Sequence, residues 1–223
     1  GGSSFSVPAE AECMDAATFR EQVTEAKGTA LNRLGSNKLL VALTDAELTT
    51  KRVLEAAADS EHAAHNTFAA WAEDESDDRA RQAFASVAER EADHRERVLD
   101  SMAESYEPND GGALHEYLRG REGAVQRVAA GMVGRGLVAD RTHQQVISFF
   151  VNEADSRRAD LFRELREETA DGTERGLELL ETLCESEADW QDAHDVAAYT
   201  VQVAYDDYAD ALTGMGVDPK PVC

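Results

Sequence analysis

Apolar residues recur along this chain at spacings of three and four, and no stretch alternates polar with β-branched residues over the length of a strand. Residues 16 to 34 place Phe19, Val23, Ala26, Ala30 and Leu34 on one face, with Asp15 positioned to cap the start and Gly35 to stop it. After the apolar stretch Leu39 to Leu43, Thr44 and Glu47 have capping-box spacing and open a second pattern, helix A, that runs to about Glu73. Ser76 or Asp77 caps a third, helix B, which runs to about Ser105 with Phe84, Val87, Ala88, Glu91, His94 and Val98 along one side. Only a few residues join A to B, so the two should lie antiparallel and adjacent.

The run Glu107-Pro108-Asn109-Asp110-Gly111-Gly112 is the clearest break in the pattern and divides the helices into two groups. Beyond it, residues 113 to 137 predict a weaker helix ended by Gly131, Gly134 and Gly136, and Asp140 is placed to cap helix C, running to about Thr169. Thr173 to Leu212 is helical again, closed by Gly214, Pro219 and Pro221. Ser186 followed by Asp189 is a possible restart, so helix D is either one long helix or two. The expectation is an all-α fold with one domain over residues 14–214, a flexible leader at 1–13 and a tail at 215–223.

Composition narrows the function classes. The 223 residues suffice for one sizeable core. No apolar run of about eighteen residues occurs, so no membrane span is expected. The 45 acidic and 22 basic residues leave a net charge of −23, which argues against nucleic acid or an anionic membrane as partner. Because the charges are spread through the helical segments, they predict a hydrated folded surface. An Asp/Glu-rich, Lys-poor surface of this kind is similar to those of proteins adapted to molar salt, where screening relieves self-repulsion. Cys13, Cys184 and Cys223 are far apart and form no C-x-x-C pair, which excludes a zinc ribbon or a rubredoxin-type iron site. No cationic and apolar leader opens the sequence, and a reducing, cytoplasmic setting is the expectation.

The chemistry concentrates on helices A and B. Residues three apart on a helix share a face, so Glu91 and His94 can offer a carboxylate and an imidazole to one ion. Phe84 and Ala88 precede Glu91 on that face, and on helix A Glu61 is followed by Ala64, Phe68 and Ala72 at intervals of three, seven and eleven. Small and aromatic residues at those places let two helices approach closely beneath their carboxylates.

At these positions the chain resembles the rubrerythrin branch of the ferritin-like superfamily. The family's helix A pattern, Glu-x-x-Ala-x-x-x-Tyr/Phe-x-x-x-Ala, is matched by Glu61, Ala64, Phe68 and Ala72. Its helix B pattern, Phe-x-x-x-Ala-x-x-Glu-x-x-His, is matched by Phe84, Ala88, Glu91 and His94. The resemblance spans about residues 50 to 105. It implies a ferritin-like four-helix bundle, here with additional N-terminal and crossover helices. It also implies a site for one or two Fe ions, or Mn, that reacts with peroxide or oxygen. Glu61 would then be a terminal ligand, Glu91 a bridging carboxylate and His94 an imidazole ligand.

The second half of such a site would come from helices C and D, and the candidates there are Glu153, and His194 preceded by Gln191. Gln191 departs from the family pattern, since a neutral amide replaces a carboxylate and rarely bridges two hard cations. Without the family's rubredoxin module, a redox cycle would draw on an external electron donor, and a homodimer is the usual family assembly. His62, His115 and His143 read as structural histidines, and His65, one turn from Glu61, as a possible neighbour of the metal. Trp190, Tyr199, Tyr205 and Tyr208 read as packing. Cys184, beside Glu185 and Glu187, does not read as a nucleophile. The competing class is a non-catalytic helical bundle with a decayed metal site that serves as an interaction or scaffolding protein.

Overall fold

A computed structural model describes residues 14–220, and these are helical with no strand among them. Residues 1–13, with Cys13, and residues 221–223, with Pro221 and Cys223, lie outside the described residues. The elements are α1 (Ala16–Ala26), α2 (Gly28–Leu34), α3 (Lys38–Leu43), α4 (Thr50–Asp74), α5 (Asp78–Asp100), α6 (Ala113–Arg119) and α7 (Ala124–Arg127). A π-helical segment (Val128–Gly134) follows, then α8 (Arg135–Asn152), α9 (Ser156–Leu183) and α10 (Glu187–Gly214). Two helical hairpins dominate: α4 packs along α5, and α8 packs along α9. Helices α5 and α9 meet across the interior, while α10 covers the π-helical segment together with α1, α2, α3 and α6.

Local chemistry explains the ends of these helices. Asp15 caps α1, accepting from the Thr18 N–H at 2.8 Å, and Gly35 ends α2 as expected, although the chain kinks at Lys27 between the two. Helix A starts five residues later than its capping-box spacing predicts. Thr44 is instead buried at the end of α3, its hydroxyl donating back to the Leu40 carbonyl. Asp45 and Ala46 then adopt positive φ, so Thr49 becomes the true cap of α4. Asp77 caps α5 through the N–H groups of Arg79 and Ala80. Ser186 and Asp189 form a full capping box that starts α10, and the first part of the predicted helix D is the end of α9, which runs unbroken through the expected C–D boundary at 169–173.

The predicted helix C is overturned. The glycines expected to end a helix lie inside one continuous helical run from Ala124 to Asn152, and Asp140 sits within it, paired with Arg166 and Arg141 instead of capping. Their smallness answers a packing demand: a Cβ on Gly131 would lie 2.6 Å from the Trp71 ring and 2.9 Å from that of Phe68. The chain breaks later, at Glu153–Asp155, where Ala154 has φ 55° and Asp155 caps α9. No helix among the described residues is long and apolar enough to cross a membrane.

The interior has two apolar clusters separated along the helix axes. One gathers Phe68, Trp71, Phe84, Val133, Leu137, Leu177 and Leu180, and the other gathers Val53, Leu54, Val98, Val146, Phe150, Phe162 and Leu165. On each of α4, α5, α8 and α9, buried or half-buried polar residues fall between the two sets: Glu61; Glu91 and His94; His143; Glu168 and Thr169. Dispersion and apolar burial hold the two ends of the bundle, and a polar level crosses between them.

Candidate metal centre

Three of the five residues expected as ligands meet in this level. Glu61 on α4 with Glu91 and His94 on α5 are buried, and one ligand atom from each lies within 4.8 Å of the others. The i, i+3 spacing on α5 places Glu91 and His94 side by side, and the antiparallel α4 brings Glu61 opposite them. Beneath them the rings of Phe68, Trp71 and Phe84 pack with centroids 5.1–5.9 Å apart, fixing the separation of the two backbones.

Glu153 and His194 do not join this group. Glu153 is the exposed C-cap of α8, past the end of the helix that was expected to carry it inward. His194 lies on α10, outside the two hairpins, near Asp195 at 3.5 Å, and Gln191 is exposed and bonded to Asp195. Their predicted positions assumed a helix C through residue 153 and a helix D lining the site, and the break at Ala154 removes both premises. His65 is also elsewhere, its Nδ1 2.8 Å from the Ala88 carbonyl, where it fastens α4 to α5.

The second hairpin supplies different chemistry. Arg135 places its Nη2 2.8 Å from Glu91 Oε2 and its Nη1 3.3 Å from Glu91 Oε1, while Nη2 also lies 3.8 Å from Glu61 Oε2. A guanidinium thus stands between the two carboxylates. Arg90 adds a bond of 2.9 Å to Glu91 Oε1, so both oxygens of this fully buried carboxylate accept from arginine. Room for Arg90 exists because α9 has Gly172 there, where a Cβ would sit 2.1 Å from its Nη1. His143, read from the sequence as structural, brings Nε2 to 3.4 Å from Glu61 Oε1. Glu168 accepts from His94 Nε2 at 2.8 Å and from Arg97 at 3.0 Å.

These contacts leave a specific deficit. Burial acts to raise the Glu168 pKa, but His94 and Arg97 beside it hold it below the usual carboxylate range. An ionised Glu168 only accepts, so the His94 proton belongs on Nε2 and a neutral ring turns a bare Nδ1 toward Glu61. Nδ1 and Glu61 Oε2 are 3.8 Å apart, and each is buried without a hydrogen-bond partner. Two acceptors facing each other at that distance repel, and a cation between them, a proton or a metal, would satisfy both. The titration tendencies agree with this. For His94, burial opposes the charged ring, yet Glu61, Glu91 and Glu168 raise its pKa. For Glu61, burial opposes the charge, yet Glu91, His143 and His94 hold its carboxyl well below the ordinary range.

Sequence reasoning missed Arg135, His143 and Glu168. The available signal for Arg135 was its isolation as the one charged residue in the apolar run from Val128 to Val138, since a buried arginine must find acids. For His143 it was the spacing of three and seven to Val146 and Phe150, which puts it on the buried stripe. The chain matches no protein-family model, no curated protein and no solved structure, so the site stands on its own geometry.

Proposed function

We propose that this chain is a ferritin-like, rubrerythrin-related helical protein that holds a single redox-active divalent metal ion at Glu61, Glu91 and His94. The observation that carries this reading is the unpartnered pair of Glu61 Oε2 and His94 Nδ1, 3.8 Å apart in the buried level. Two carboxylates and an imidazole with no thiolate suit Fe(II), or Mn(II), better than a structural zinc. Bound there, ferrous iron would supply one electron on passing to the ferric state, and an external donor would supply the rest that peroxide or oxygen reduction takes and restore the ferrous ion.

The protein's own residues have separable tasks. Glu168 holds the His94 ring by its Nε2–H and keeps Nδ1 free, as a carboxylate does behind many metal-ligating histidines. His143 positions Glu61 through Oε1 and leaves Oε2 turned to His94. Arg135 pairs with both oxygens of Glu91 and so supplies there a positive charge that a second ion would otherwise bring, which supports one metal per chain.

The same arginine favours a second reading, a bundle whose site has become a metal-free ion network within an interaction protein. Three carboxylates, Glu61, Glu91 and Glu168, face three guanidinium groups, Arg90, Arg97 and Arg135, and balance without a metal. The two readings separate when anaerobic Fe(II) is added and then peroxide. The metal reading expects a ferric absorption that Glu61→Ala and His94→Ala abolish; no iron retained by the wild-type chain would establish the network reading.

A further inference from the structure

Beside the metal centre lies a cavity of about 400 Å³, within the range of pockets that take small organic ligands. Its wall comes mainly from α3, α4, α6, α8 and α10, with Leu34 of α2 and Phe162 of α9, and is largely apolar, with Leu40, Val53 and Val146 among its residues. Leu43, one of the few large apolar side chains left exposed, also lines it, so the cavity reaches the surface at the end of α3. A wall of this composition favours an apolar occupant through burial of its surface.

The buried polar lining decides what else the occupant must carry. Glu61 and Arg135 both line the cavity, but their charges are already engaged with His143, His94 and Glu91, so an ionic head group would enter without a free counter-charge. Asp59 and Asp207 add negative charge to the lining and disfavour a carboxylate further. His115 and His143 differ from these. Both are more than nine-tenths buried, both line the cavity, and the Nδ1 of each lacks a hydrogen-bond partner in the protein. Burial first, and then the charges of Arg135 and Arg119, push the His115 pKa down to about 3, so its imidazole is neutral and able to pair with a neutral oxygen.

We propose that this cavity binds a neutral, largely apolar organic molecule bearing a hydroxyl group, which pairs with the free imidazole nitrogens of His115 and His143. The inference goes beyond the reading of the metal centre and does not require it, since neither the aliphatic wall nor His115 belongs to the ligand set.

Titration calorimetry and thermal melts on the full chain, in chelator and again with Mn(II), test this with octan-1-ol, octane and octanoate. Octanol is expected to bind and raise the melting temperature, with octane at least about tenfold weaker for want of the hydrogen bonds to the two imidazoles and octanoate weaker than octanol. His115→Leu should bring octanol down to the affinity of octane while leaving octane unchanged, and Ala57→Phe, which fills the cavity, should abolish both. Equal affinities for octanol and octane in the wild-type chain, tighter binding of octanoate, or no binding of octanol would each overturn the proposal, with no dependence on a variant's folding. Octanol binding in chelator alongside absent Mn(II) binding would defeat the metal reading and leave this one standing.

Discussion

Both helical hairpins cross the polar level, and the second sets a guanidinium against a buried carboxylate of the first. Helices α4 and α5 bring in Glu61, Glu91 and His94, while α8 and α9 bring in Arg135, His143 and Glu168. A bundle made of two equivalent hairpins would face carboxylates with carboxylates and require two divalent ions to neutralise them. Here a guanidinium from the second hairpin lies 2.8 Å from the first hairpin's Glu91. The lesson is electrostatic: positive charge that the chain itself places in a buried level lowers the number of divalent ions its carboxylates need.

Removing that charge should be the most damaging change. Arg135→Met leaves Glu91 and Glu61 buried beside each other with one counter-charge fewer, and should cost about 3–5 kcal/mol in metal-free protein by urea denaturation. Added Mn(II) should recover part of that loss, and an unchanged unfolding midpoint would mean the hairpins are not electrically complementary. Gly131→Ala attacks the packing that holds the two hairpins together. Its Cβ would press on Trp71 and Phe68, and a loss of about 1–3 kcal/mol is expected from overpacking.

A pH series reads the positive charge of the second hairpin through His115. Its pKa falls from 6.5 in the unfolded chain to about 3 in the folded one, through burial and then the neighbouring Arg135 and Arg119. The unfolded state therefore binds the proton first, and stability that is full above pH 6.5 is lost as pH falls toward 3. The slope attributable to this residue is about 1.4 kcal/mol per pH unit, and His115→Leu should flatten the measured dependence by that amount. Smallest of all, Glu153→Ala and His194→Ala should shift stability by less than about 0.5 kcal/mol and leave metal affinity unchanged. A loss of metal in either would restore the second half-site to the positions that the sequence pattern favours.

The sequence showed the first hairpin far more clearly than the second, for physical reasons. On α4 and α5 the stripe is regular, Asp77, one of the two caps expected, starts α5, helical phase puts Glu91 and His94 on one face, and the resemblance of the helix patterns adds Glu61. On the second hairpin the phase is broken by a π-helical turn at Val128–Gly134, which admits an extra residue and rotates the stripe that follows. The glycines there answer to other helices, Gly131 to rings on α4, Gly134 to Thr200 on α10 and Gly136 to Thr173 on α9, long-range contacts that local pattern does not reveal. The left-handed Ala154 ends α8 without any glycine or proline to announce it. Arg135, His143 and Glu168 became legible only when the phase and the break were known.

The most direct test of the central claim is the metal stoichiometry of the full chain, measured by anaerobic titration with Fe(II) or Mn(II) and elemental analysis after gel filtration. The account predicts one ion per chain, lost in Glu61→Ala and in His94→Ala. Two ions per chain, or none, would contradict it.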